Sequence, residues 1–116
     1  MSYVDGFVVA VPRENRDAYE AFARQSASVF RDHGALRVVE CWADDVPEGT
    51  LTSFPFAVRC KPTEIVVFSW VEWPSREARD VGNRKVMADR RMQASATLPF
   101  DGMRLIFGGF DVLLDA

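Results

Sequence analysis

Glu40 and Trp42 stand two residues apart in the run Val38-Val39-Glu40-Cys41-Trp42, which has the composition of a β-strand. The two-residue repeat of a strand puts both on one face. A carboxylate held beside an indole can bind a polar ring, or act as a base whose pKa is lifted by apolar surroundings. Trp70 and Glu72 repeat the pattern in another strand-like run, which favours a pocket shared by the two pairs. Asp5, like Glu40 and Glu72, interrupts an otherwise apolar strand, and such a carboxylate must reach solvent or find a partner. For Glu40 the other arrangement open to it is a buried ion pair with Arg37 or Arg104.

His33 is the only imidazole, so nucleophilic or proton-transfer chemistry that needs histidine must use it. It falls on an apolar helical stripe just before Gly34, at a helix C-terminus where the dipole favours a protonated ring. That position suits a capping role, or proton transfer at the edge of a cavity. No second histidine supports a metal site, and nothing else in the chain supports heme ligation. Cys41 and Cys60 match no zinc or redox spacing and read as reduced thiols packed like small hydrophobes. There is no P-loop, GxGxxG, HExxH or GxSxG pattern, so no cofactor is expected.

The elements that must position these residues follow from hydrophobic period. Tyr3 to Val11 is a strand stopped by Pro12, which cannot donate to a ladder but suits a helix start. From Arg13 to His33, Tyr19, Phe22, Ala23, Ser26, Val29, Phe30 and His33 recur at three and four residues, with Arg16, Asp17, Glu20, Arg24, Arg31 and Asp32 outward. Gly34 supplies a C-terminal cap before a strand from Leu36 to Ala43. Asp44 to Thr50 is a turn, and residues 51–62 read either as a short helix capped by Thr52 or as an extended hairpin, with the helical turn favoured. Glu64 to Trp73 is the clearest strand, closed by Pro74 and the N-cap Ser75. The helix that follows carries Glu77, Ala78, Val81, Lys85, Val86 and Ala88 and is weakened by Gly82 and Asn83. Asp89 caps a further stretch from Arg90 to Ala96, and a last strand runs from Met103 to Leu114 with a bulge or close approach at Gly108-Gly109. The order β-α-β-β-α-β predicts an α+β, ferredoxin-like split βαβ domain over residues 1–116, a four-stranded antiparallel sheet with its helices on one face.

Val8 to Val11, Val38 to Trp42, Ile65 to Val71 and Leu105 to Phe110 are nearly apolar on both parities, whereas a sheet with one wet face alternates. Two substantial helices cover one face, so a second copy of the chain is expected on the other. At 13.1 kDa, with 48% hydrophobic and 27% charged residues, one globular domain is expected. A net charge of −3 gives no broad positive field for nucleic acid, and the cluster Arg84, Lys85, Arg90 and Arg91 is interleaved with Asp80 and Asp89 as on a solvated helical face. No apolar run has bilayer length, and the first residues lack the basic and apolar regions of an export signal, so the cytoplasm is the expected location.

Tyr3 to Pro12, Gly34 to Trp42, Pro99 to Arg104, Phe68-Ser69-Trp70 and Gly108-Gly109-Phe110 resemble the YbaA-like family of small uncharacterised bacterial proteins. The resemblance implies a dimeric α/β barrel, in which two ferredoxin-like subunits lay their sheets face to face, and it carries no assigned reaction. The expected function is accordingly a homodimer with a small-molecule pocket between sheet and helices. Two other readings stand beside it: a cofactor-independent monooxygenase or isomerase acting on an aromatic molecule, with Glu40 or His33 accepting a proton between Trp42 and Trp70, and a purely structural or partner-binding dimer.

Overall fold

Strands β1 (Tyr3–Pro12) and β3 (Glu64–Trp73) pair antiparallel along ten residues in the computed structural model, which describes residues 2–93 and 97–116. Strand β2 (Arg37–Trp42) adds to the outer side of β3 and β4 (Ile106–Asp111) to the outer side of β1, giving the order β2-β3-β1-β4. Helix α1 (Arg16–Asp32) joins β1 to β2, and α3 (Arg76–Ala88) with the short α4 (Arg90–Gln93) joins β3 to β4. This is the ferredoxin-like α+β sheet that the element order implied. Pro12 does end β1, but Arg13–Asn15 forms a 3₁₀ turn, so α1 starts three residues later than expected. Gly34 closes α1 with a positive φ of 108°, a conformation that only glycine takes without strain.

Period-two alternation sends the odd residues of β1 and β3 toward the helices. Val9, Val11 and Val67 meet Tyr19 and Ala23 of α1, while Tyr3, Val71 and Trp73 close around Ala35. Trp73 is wholly buried, and its indole N–H donates to Asp5 at 3.0 Å; Arg79 of α3 donates to the same carboxylate at 2.9 Å. Gly82 is the reason α3 can lie so close. A Cβ there would meet the Trp73 ring and stand 2.8 Å from the His33 carbonyl oxygen. The stripe of α3 therefore differs from the expected one: Gly82 and Val86 are buried, whereas Val81, Lys85 and Ala88 are exposed.

Even residues form the opposite face, where Val4, Val8, Phe68, Trp70, Ile106 and Phe110 line an apolar groove of about 840 Å³. Phe110 is 62% exposed there. The expectation of helices on one face holds for α1 and α3 only. Helix α2 (Phe54–Ala57) folds onto the groove's far end, where Val58 packs with Ala10 and Val66 and Phe54 stands edge-on to Phe68 at 5.8 Å. Its N-cap is Ser53, accepting from the Phe56 amide, not Thr52, because Pro55 follows two residues after Ser53 and fits only the first turn.

The last strand is shorter than its apolar run. Asp101 accepts from the Met103 amide and from Arg104, winding Gly102–Arg104 into a 3₁₀ turn before β4 begins. Gly108 and Gly109 pair regularly with Gly6 and Asp5, without a bulge. Close approach is what Gly109 provides, since a Cβ there would collide with Tyr3 and Arg79. Helix α4 is described over Arg90–Gln93, and the expected continuation to Ala96 lies outside the described residues.

Gly82→Ala tests this packing with a definite sign. On an exposed helix the change would add about 1 kcal/mol of stability; against Trp73 it should remove about 1–3 kcal/mol, seen as a lower urea midpoint. A raised midpoint would show that α3 does not depend on the contact.

Candidate functional site

Strands β1 to β3 carry four carboxylates, Asp5, Glu40, Glu64 and Glu72, and their partners set one of them apart. Asp5 is bonded to Arg79, Glu64 is gripped at both oxygens by Arg104 at 2.7 Å, and Glu72 accepts from Trp70 at 3.0 Å with Arg37 at 3.7 Å. Among the described residues Glu40 has no cation. It accepts instead from the hydroxyl of buried Tyr19 at 2.6 Å, so neither Arg37 nor Arg104 forms the pair with Glu40 that was open on sequence.

Local structure dictates that contact. Tyr19 lies on the inward stripe of α1, Glu40 shares the helix-facing side of β2 with Val38 and Trp42, and Ser69 is its cross-strand neighbour on β3. Loss of hydration pushes the Glu40 carboxyl up from its ordinary value of 4.5, outweighing the hydroxyls of Tyr19 and Ser69, which pull it down. Burial, and then the adjacent carboxylate, push the Tyr19 phenol well above its ordinary value of 10.0. Tyr19 is thus a fixed donor and Glu40 a carboxylate that takes up a proton more readily than a free one.

This pair lines an open cleft of about 410 Å³ between α1 and β2, with Trp42 and Arg16 also on its walls. The residue Glu40 remains exposed to the cleft, although its carboxyl tip meets the buried phenol. Arg16 lies over the Trp42 ring, 5.3 Å from its centroid. A second cleft of about 760 Å³, between the loop after β2 and the start of β3, shares Arg16 and Trp42 with the first. Glu40 and Trp42 therefore do share a face and a cavity.

Trp70 and Glu72 do not join them. The register pairs Val39 with Trp70 and Arg37 with Glu72, which puts Trp70 and Glu72 on the opposite face in the apolar groove, so one pocket shared by both pairs is ruled out within a subunit. Asp5 belongs to the α3 anchor. His33 caps α1 and its Nε2 lies 2.8 Å from Asp89, which also accepts from Arg91, far from Glu40 in the chain's helical layer; the contact joins α1 to the α3–α4 junction. The hydrogen bonds from Arg91 and His33 hold the Asp89 carboxyl well below the usual range. Cys41 is exposed on the groove face opposite Phe68, contrary to the buried thiol expected, and Cys60 is half-buried; the two are unpaired. Among the described residues no three His, Cys, Asp or Glu side chains converge as a metal site requires, and no helix is long and apolar enough to cross a membrane.

Tyr19 and Arg16 are the site residues that the sequence left unmarked. Tyr19 was legible only as core; the signal was a phenol hydroxyl on a stripe that faces a strand carrying an unmatched acid.

Sheet order, crossing helices and a cleft beneath α1 define a small ferredoxin-like α+β protein. The family model described as a protein of unknown function (DUF1428) matches residues 2–102, and the chain belongs to that family. It is 53% identical over 116 residues to the uncharacterised protein YbaA of Escherichia coli strain K12, covering 99% of each chain, and equally to YbaA of Shigella flexneri. Among solved structures, a mutant of SnoaB, a cofactor-independent oxygenase from Streptomyces nogalater, matches with a TM-score of 0.59 at 14% identity, covering 98% of this chain and 95% of that one. Rv0793 from Mycobacterium tuberculosis matches with a TM-score of 0.54 at 15% identity, covering 100% and 99%. At such identities the two structures share the fold with this chain.

The raised Glu40 pKa has a defined consequence for stability. A group that binds its proton more tightly folded than unfolded favours the fold when protonated, at pH below its unfolded value near 4.5, and loses that contribution as pH rises through the folded value. Glu40→Gln should therefore melt at or above wild type at pH 7, and the difference should shrink as pH falls toward 4.5. In ¹³C NMR titrations the Glu40 carboxyl should ionise above the ordinary range, and higher still in Tyr19→Phe, which lacks the stabilising donor. A large loss of melting temperature in Glu40→Gln at pH 7 would mean that an unrecognised cation depends on this charge.

Proposed function

We propose that the α1–β2 cleft binds a small aromatic molecule and that Glu40 is a general base removing a weakly acidic proton from it. The observation that carries this reading is a carboxylate with a raised pKa, held by the Tyr19 hydroxyl and without an ion pair among the described residues, on the wall of a cleft beside Trp42. Desolvation brings the base nearer to working pH, and the indole, with Arg16 over its ring, lines the same cleft and offers apolar surface to an aromatic ligand. The proton passes to Glu40 while its bonding pair delocalises into the substrate as an enolate or phenolate. Return of the proton at another carbon is an isomerisation. With dioxygen as oxidant, a methylene so activated becomes a carbonyl and the second oxygen atom leaves as water. SnoaB, named a cofactor-independent oxygenase, supports the second outcome through its fold alone.

Assembly belongs to the same proposal. The chain works as a cytoplasmic homodimer whose second copy covers the groove lined by Val4, Val8, Phe68, Trp70, Ile106 and Phe110. An apolar face of this extent, with Arg37 and Glu72 neutralising each other at its rim, is complementary to itself. The clefts then open on the sheet face away from the seam, so each subunit keeps its own.

Deuterium exchange into 2-tetralone, an enolisable aryl ketone, tests the base. Wild-type protein should speed incorporation at C1, and Glu40→Gln should lose about a hundredfold or more of that rate; equal rates would sink the assignment. For the assembly, sedimentation at micromolar concentration should return twice 13.1 kDa, and Phe110→Glu should return 13.1 kDa by burying an unpaired charge. A folded wild-type monomer would require another cover for the groove.

A further inference from the structure

Arg16 lines both clefts and, among the described residues, is left without the partner its place on the helix would give it. Its helical neighbour one turn on, Glu20, is held by Arg24 through bonds of 2.8 and 3.1 Å. Arg13, the other arginine at the junction of the two clefts, donates to the Pro62 carbonyl at 2.6 Å. Among the described residues Arg16 makes no hydrogen bond or ion pair; it turns back over Trp42 and is exposed. A guanidinium lying over an indole is held by its face while its N–H donors point outward around its edge. Little ordering entropy remains to be lost when those donors meet a planar anion.

We propose that Arg16 is a specificity-determining residue that binds a carboxylate of the substrate, making the ligand an aromatic acid that spans the cleft from Trp42 to Glu40. The inference rests on the reading of this cleft as a substrate site and deepens it. Glu40 and Trp42, two residues apart on one strand face, are separated by about 7 Å, the scale of a fused bicyclic ring. A carboxylate at Arg16 leaves the far end of such a ring at Glu40, where the acidic proton is taken. The larger cleft beyond Trp42 carries both signs, Asp44 and Glu48 with Arg13 and Lys61, so the anion preference rests on Arg16 at the wall the two clefts share. The Arg16 charge also offsets the repulsion between a substrate carboxylate and Glu40.

Calorimetric titration with 6-hydroxy-2-naphthoate and with 2-naphthol tests the assignment, since the two differ in the carboxylate alone. Wild-type protein should bind the naphthoate about tenfold or more tightly than the naphthol, and the preference should shrink with added sodium chloride. In Arg16→Met the preference should fall to within about twofold, while Glu40→Gln, which removes a charge that repels the carboxylate, should keep or raise it. Equal wild-type affinities for the two probes, or a preference that survives in Arg16→Met, would overturn the role of Arg16 and leave the cleft standing. Failure of both probes to bind wild type at millimolar concentration would overturn the substrate site and this inference together. The wild-type ratio and its salt dependence decide the matter even if the variant folds poorly.

Discussion

Ten residue pairs join β1 to β3, and the alternation along those two strands decides where everything else can go. Their odd residues need helices, their even residues need another cover, and a chain of this length supplies the first fully and the second only at one end. Helix α1 can cross the sheet only with Tyr19 and Ala23 against Val9, Val11 and Val67, and that crossing carries the phenol to Glu40. On the other half, α3 is brought down by the Asp5–Arg79 pair and given room by Gly82. The cleft is thus a by-product of packing: α1 leans on the central strands, and β2 at the edge is left one side-chain layer away.

Charge is distributed with the same economy. The two buried strand acids each have an arginine, and the pairs tie distant segments: Asp5 to α3, Glu64 to the turn before β4. Removing a partner from either would leave a buried charge exposed to several kcal/mol of desolvation, about 3–5 by the usual measure. Glu40 lies outside this scheme because its neighbours across the ladder and across the layer are hydroxyls. A hydroxyl stabilises a carboxylate without cancelling it, which keeps the group available to a proton.

Period and punctuation made much of this legible from sequence. The bounds of β3, the inward stripe of α1, the cap at Gly34 and the two-sided apolar character of the strands all follow from residues near one another in the chain. What could not be read depends on register between separate segments. Parity places Glu40 with Trp42 and Trp70 with Glu72, yet whether the two pairs meet depends on which residue of β2 opposes which of β3, and that offset puts them on opposite faces. Likewise the Tyr19–Glu40 bond joins a helix to a strand, and Gly82, which read as a flaw in a helix, is explained by an indole nine residues earlier. The helix-end position of His33 was legible, while its partner Asp89 required the fold.

Strand β2 lies at the rim of the sheet, bonded on one side only. An edge strand can splay from its neighbour's plane without breaking bonds on its free side. Since Glu40 and Trp42 ride on it while Tyr19 and Arg16 ride on α1, the width of the gap between them is set by a strand that only one neighbour holds. Any flexing of this one short ribbon changes the width of the cleft and leaves the ten-pair centre untouched.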